Sequence, residues 1–200
     1  MGGKSSVPPE PPTEEIVFHA PLDVMNTLQD TISGQTGTGN VVWDFAKGMY
    51  KFANSSSLIN AAVWNGLSLN LINKSCAFEA DIELISGTFV MFNAGQATGT
   101  SNPHGINVSG RAISHTGAGA NGFNLSIGVL AHCRVEFDVE NDIARLYKNG
   151  ALLSTLTMED IYGPPYWLPL WMQSISVGAN WYTSSHTGSV YMKNFKISLL

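Results

Sequence analysis

Glu79, Asp81 and Glu83 sit at every second position of "CAFEADIELISG", residues 76–87, with apolar residues between them. On a strand such residues share one face. Closely spaced carboxylates are the equipment of glycoside hydrolysis: a retaining glycosidase needs two carboxyls about 5–5.5 Å apart, one as nucleophile and one as acid/base. Neighbours two apart on a strand are separated by roughly 6.6 Å along the chain, so a pair converges only on a curved, concave face. The other reading is a solvent face, with the three acids in water and Cys76, Phe78, Ala80, Ile82 and Leu84 in the core. A cation or partner contact is the third.

No second constellation competes. His19, His104, His115, His132 and His186 are scattered, without a metal-ligand spacing such as H-x-x-x-H. His104 and His115 flank one short strand pair and are the pair that could meet in space. No metal site is expected. Calcium needs several oxygen ligands, and Asp23, Asp30 and Asp44 are the only early candidates; no cofactor is otherwise implied. There is no G-x-S-x-G elbow and no glycine-rich phosphate loop opening a helix. The sequons at Asn54, Asn73, Asn107 and Asn124 follow from an Asn- and Ser-rich composition and are not read as glycosylation.

Aromatic residues offer a binding chemistry instead. "GPPYWLPLWM" places Tyr166, Trp167 and Trp171 in a proline-rich stretch, and "GANWYTSSHTG" places Trp181, Tyr182 and His186 in an expected loop. Sugar rings stack their C–H faces on such side chains, and large aromatics exposed in loops mark contact surfaces. Trp181, Tyr182, Tyr166, Trp167 and His186 are therefore the candidate glycan or partner contacts. The alternative is packing, above all for Trp167 and Trp171.

The elements that position these residues follow a period of two. "EIVFHAPL" sets Ile16, Phe18 and Ala20 on one face, and "LSLNLIN" does so with Leu67, Leu69 and Leu71. "VVWDFAKGMYKFA" is broken at Gly48, and a tight Ser86-Gly87 break separates "CAFEADIEL" from "GTFVMFNAG". About a dozen short strands follow one another between Gly, Asn, Ser and Pro. A turn at residues 158–162, "MEDIY", is the one helix-like piece. Asn149-Gly150 in "YKNGALL" supplies the positive φ values of a tight hairpin. The fold class is all-β: a two-sheet antiparallel sandwich or jelly roll.

Composition agrees. The 200 residues suit one domain of 15–200, with 44% apolar, only 12% charged residues and a net charge of −5. No basic cluster points to nucleic acid, and no apolar run reaches a membrane span. Cys76 and Cys133 are two buried free thiols or one disulfide. Residues 1–14, with Pro8, Pro9, Pro11 and Pro12, form an extended polyproline-like arm. It is either a flexible leader or an anchor that docks on another protein. "MGGKSS" also spells the Gly2/Ser6 myristoylation pattern. No apolar signal core precedes the body.

"HCRVEFDVENDIARLYKNGALLSTLTM" resembles the hairpin of laminin-G-like and concanavalin A-like sandwiches through Val135, Phe137, Ile143, Leu146, Tyr147, Asn149 and Gly150. "ISVGANWYTSSHTGSVYMKNFKISLL" resembles their closing strands and "FHAPLD" their first. The resemblance covers nearly all of 15–200 and implies fold rather than function. The superfamily includes lectins, carbohydrate-binding modules, viral fibre and decoration domains, and laminarinase/lichenase-like glucanases. "EADIE" matches the catalytic spelling of the last group. "FEADIELISGTFVMFNAG" aligns better with an earlier, supporting strand of theirs, and no Asp or Glu occurs between Leu84 and Val135, where the catalytic strand belongs. The expectation is a non-catalytic protein. We expect a virion, in particular phage, decoration or fibre protein, anchored through its arm to other virion proteins and displaying a lectin-like sandwich. A homo-oligomer and contact with cell-surface glycans fit that picture. A free carbohydrate-binding module, extracellular by a route the chain does not encode, is the alternative, and a glucanase the remote one.

Overall fold

The computed structural model describes residues 13–54, 59–60, 62–71, 74–95, 108–109, 112–114, 122–157, 171–177 and 187–200. Trp181, Tyr182, Tyr166, Trp167, His186, His104, His115, the arm prolines and the 158–162 turn lie outside them.

Among the described residues there are strands and turns and no helix. The strands form an 11-stranded and a 5-stranded sheet, packed as a β-sandwich of the jelly-roll type. The large sheet is built on β7 (Cys76–Val90) and β16 (Gly188–Leu199), its two longest strands. β12 (Leu130–Asp138) flanks β7, followed outward by β13 (Ile143–Lys148) and β14 (Ala151–Thr157). On the other side β16 pairs with β4 (Met49–Asn54) along its first half and with β1 (Glu15–Ala20) along its second. β3 (Val42–Asp44) closes that edge. The small sheet centres on β6 (Ala62–Asn70) and β15 (Trp171–Val177). Among the described residues, pairing is antiparallel except between β10 (Ala112–Ser114) and β11 (Phe123–Asn124).

Alternation decides what goes inside. Cys76, Phe78, Ala80, Ile82 and Leu84 are all buried, as are Cys133, Val135 and Phe137 on β12 and Val190, Met192, Phe195 and Ile197 on β16. Phe18 of β1 meets Trp64 of β6 edge-on at 5.3 Å, tying one sheet to the other, and Phe78 stacks on Phe92 at 4.2 Å. Each such ring contributes about 1.5–3 kcal/mol through burial. The Trp64 indole N–H donates to the Leu28 carbonyl at 2.9 Å, so no polar group is stranded in this core contact.

The alternation expected in "EIVFHAPL" holds for Phe18 and Ala20 and fails for Ile16, which is exposed. A register shift between Ile16 and Phe18 turns it out of the face. The expected break at Ser86-Gly87 is not a turn. β7 runs through it, with Gly87 at φ +68 pressed against Thr187 and Gly188 of β16. Asn149 and Gly150 both take positive φ, 52 and 78, and close the β13–β14 hairpin as expected. The thiols are free and buried: Cys76 lies opposite Phe137 and Cys133 opposite Ala80, so no disulfide joins them. Burial pushes both thiols up to about 12.

Candidate functional site: the charged face of the long strand

Glu79, Asp81 and Glu83 do share the outer face of β7, but water does not surround them. β12 and β16 flank the strand on both sides and carry the complementary charges in register. Arg134 lies directly across from Glu79, and His132 across from Asp81. On the other side Lys196 is registered with Glu79, Lys193 with Asp81 and Tyr191 with Glu83. Such directly opposed pairs are the unit of side-chain interaction in a sheet.

Glu79 is the hub. Its Oε2 accepts from Arg134 Nη1 at 2.8 Å and its Oε1 from Lys196 Nζ at 3.1 Å, while the His132 Nε2 stands 3.6 Å away. Arg134 also donates to Glu136 at 2.9 Å and to Glu14 at 2.6 Å. Glu14, the last residue before β1, is thus clamped onto the same face. Side chains of Glu79 and Arg134 are only 12% and 14% exposed, so the pair sits under its neighbours rather than in bulk solvent.

Asp81 accepts from the Asn194 amide at 2.7 Å and pairs with His132 Nδ1 at 2.9 Å. The Asn194 contact exists because the register of β16 slips between Lys193 and Lys196, with Asn194 at φ 54. That bulge turns Phe195 into the core, brings Lys196 opposite Glu79 and leaves Asn194 over Asp81. Glu83, buried at 7%, receives Lys47 Nζ on both oxygens, at 2.6 and 2.9 Å.

This corrects the expectation that the three acids face water. A strand in the middle of a sheet, covered by long Arg and Lys chains from both neighbours, keeps little exposure on its outer side. Unpaired carboxylates there would be costly, and the flanking bases remove the cost. The signal was present in "HCRVE", where His132 and Arg134 alternate as the acids do, and in "YMKNFK", where Lys193 and Lys196 are three apart and only the bulge between them restores the match. It becomes legible only once those strands are paired with β7.

The electrostatics also answer the question of acid/base chemistry. The His132 imidazole 3.6 Å away, then the hydrogen bonds donated by Arg134 and Lys196, outweigh burial and hold the Glu79 carboxyl down at about 2. A glycosidase acid needs the opposite shift, a carboxyl kept protonated near neutrality. The carboxylates of Glu79 and Asp81 in turn raise His132 above its ordinary value. Every acid of the ladder is held by a partner: Glu79 by Arg134 and Lys196, Asp81 by His132 and Asn194, and Glu83 by Lys47.

The early aspartates do not converge either. Asp30 is buried in the loop after β1 and accepts from the backbone N–H groups of His19, Ile32 and Ser33 at 2.8, 3.1 and 3.0 Å. Asp44 accepts from Ala46 and Lys47 N–H and from the Tyr191 hydroxyl. Asp23 is exposed on the loop after β1. No group of three or more metal-ligating side chains gathers among the described residues. His19, registered opposite Lys196 on β16, also holds Thr31 at 3.2 Å; burial, then the charge of Lys196, lowers its pKa.

No family model and no curated protein sequence matches the chain. Solved structures do match over nearly its whole length. The binding domain of botulinum neurotoxin serotype D superposes with a TM-score of 0.56 at 13% identity, covering 92% of this chain and 48% of that one. The binding domain of botulinum neurotoxin DC in complex with SialylT gives 0.54 at 13% identity over 92% and 47%. A sialidase of Trypanosoma rangeli gives 0.56 at 14% identity over 91% and 30%. The chain thus spans about half of the toxin binding domains and under a third of the sialidase, and what it shares with them is the β-sandwich fold.

Proposed function

We propose that this chain is a non-catalytic, glycan-contacting β-sandwich. The observation that carries the reading is the state of the carboxylate ladder. Its acids are locked to Arg134, Lys196, His132, Asn194 and Lys47, and Glu79 is held ionised far below neutrality. Such a face makes a stiff scaffold and leaves recognition to loops. That neurotoxin binding domains, one of them in complex with SialylT, share this sandwich supports a binding role over a hydrolytic one. The contacts belong to Trp181, Tyr182, Tyr166, Trp167 and His186.

Two assays test the reading. A glycan array probed with the wild-type chain is expected to retain glycans, and Trp181→Ala and Tyr182→Ala to weaken that retention. Incubation with β-glucans and sialosides is expected to release no reducing sugar or sialic acid. Release that disappears in Glu79→Gln would reverse the reading.

A narrower version places the sandwich on a virus particle, tethered by residues 1–14 to other virion proteins. Its support is the proline-rich leader followed by a body that clamps Glu14 onto Arg134. Incorporation into purified virions by the full chain, and not by a chain lacking residues 1–12, is the expected result.

A further inference from the structure

A bulge in β14 makes a surface that the ladder does not use. Leu146 is registered with Ser154 and Tyr147 with Leu152, so Leu152 and Leu153 together occupy the place of one residue. Unbroken alternation would turn one of two neighbouring leucines inward. Here both are exposed, at 54% and 45%. Half-buried Tyr147 stands directly opposite Leu152, and Arg134 directly opposite Tyr147. Arg134, Tyr147 and Leu152 thus form one row across the outer face of β12, β13 and β14. One end of the row is apolar, and the other receives the start of the chain. Glu15 opens β1 and pairs with Leu199 of β16. Glu14, one residue earlier, already sets both carboxylate oxygens on Arg134, at 2.6 and 3.2 Å. The strands run in the order β16, β7, β12, β13, β14. The chain ahead of β1 therefore enters from over β12, on the side that leads to Tyr147 and the two leucines.

We propose that this platform is the docking site of the chain's own proline-rich segment, residues 8–12, which crosses Tyr147, Leu152 and Leu153 of the same molecule. The inference goes beyond the glycan and virion readings and rests on neither. The segment "PPEPP" ends two residues before Glu14, so the Arg134 clamp delivers it to the row. Strands about 4.8 Å apart put Leu152 roughly 10 Å from Arg134, and polyproline at about 3.1 Å per residue spans about 15 Å over residues 8–12. The chemistry fits as well as the reach. Proline-rich segments settle on aromatic and apolar surfaces because the extended helix is preformed and its side chains lose almost no freedom on docking. The tether makes the contact intramolecular, so a small platform suffices. A second copy adding a strand along the β14 edge is the rival occupant. The bulge at Leu152 and Leu153 disfavours it by interrupting the regular ladder that an added strand needs. A partner that takes hold of the prolines must compete with the platform, which makes this contact a built-in restraint on the arm.

The test uses the full chain carrying Val7→Cys. Cys76 and Cys133 are buried and their thiols are pushed up to about 12, so a nitroxide reagent marks the arm alone. In the isotope-labelled protein the nitroxide is expected to erase the amide signals of Tyr147, Leu152 and Leu153, which return when it is reduced. Leu152→Glu is expected to abolish the effect while leaving the other amide positions in place, because the side chain is exposed. Pro9→Ser combined with Pro11→Ser and Pro12→Ser is expected to abolish it too, without touching the body. Persistence of the effect in either variant overturns the platform, as does no signal loss on β13 and β14 in the first place. A mixture of spin-labelled chains with isotope-labelled chains lacking the nitroxide is expected to show no loss. Loss in that mixture means that the arm docks between copies and overturns the intramolecular seat.

Discussion

Arg134 Nη1 lies 2.8 Å from Glu79 Oε2, and the two residues are registered directly opposite each other on β12 and β7. Both are largely covered, and both are shared: Arg134 with Glu14 and Glu136, Glu79 with Lys196 and His132. Removing either partner leaves a charge with less compensation than the fold was built around. Arg134→Met and Glu79→Gln are each expected to destabilise the chain by about 1–3 kcal/mol. The double variant should cost less than the sum of the two, with a coupling of at least about 0.5 kcal/mol. Urea denaturation of the four proteins measures it. Full additivity would mean that the pair is an incidental surface contact.

The ladder also sets a pH signature. His132 is raised above its unfolded value of about 6.5 by Glu79 and Asp81, so its contribution is complete below about 6.5 and disappears as pH rises through the folded value. Glu79 works in the other direction. Held at about 2 against an ordinary 4.5, it contributes above about 4.5 and loses that contribution as pH falls toward 2. His19, whose pKa is lowered, opposes His132: its contribution is complete above about 6.5 and declines below. The clean observable is therefore a difference. The stability advantage of wild type over His132→Gln, measured from urea midpoints, is expected to be largest near pH 5–6 and to shrink by pH 8. A constant difference would remove His132 from the titrating cluster.

Gly87 and Gly188 lie opposite each other where β7 and β16 cross closely. A Cβ on Gly87, already at φ +68, would enter the Thr187 carbonyl, and one on Gly188 would come within 2.5 Å of the Thr88 carbonyl. Both obstacles are backbone and cannot rotate away. Gly87→Ala is expected to cost more than about 3 kcal/mol and to lower soluble yield. Gly128→Ala, also at positive φ but facing open space, serves as the control at about 1 kcal/mol. Equal effects from the two substitutions would mean that φ alone, and not the crossing, constrains Gly87.

How far the sequence could be read depends on the kind of signal. Inward and outward faces were legible wherever alternation ran unbroken, from Cys76 to Leu84 and from Ala131 to Phe137, because a period of two translates directly into burial. Ile16 and Ser86-Gly87 misled for opposite reasons. A bulge breaks the period without a sequence mark at Ile16, and a glycine that spells a turn serves a close strand crossing at Gly87. The environment of Glu79 was not legible at all from its own strand. Its partners come from positions 134 and 196, and strand order rather than local pattern brings them together.

The most direct test of the whole account is to present the purified chain with a glycan array and to recover the retained glycans for mass spectrometry. The account predicts retention of at least one glycan class, recovered intact. Retention of none, or recovery of cleaved products, would contradict it.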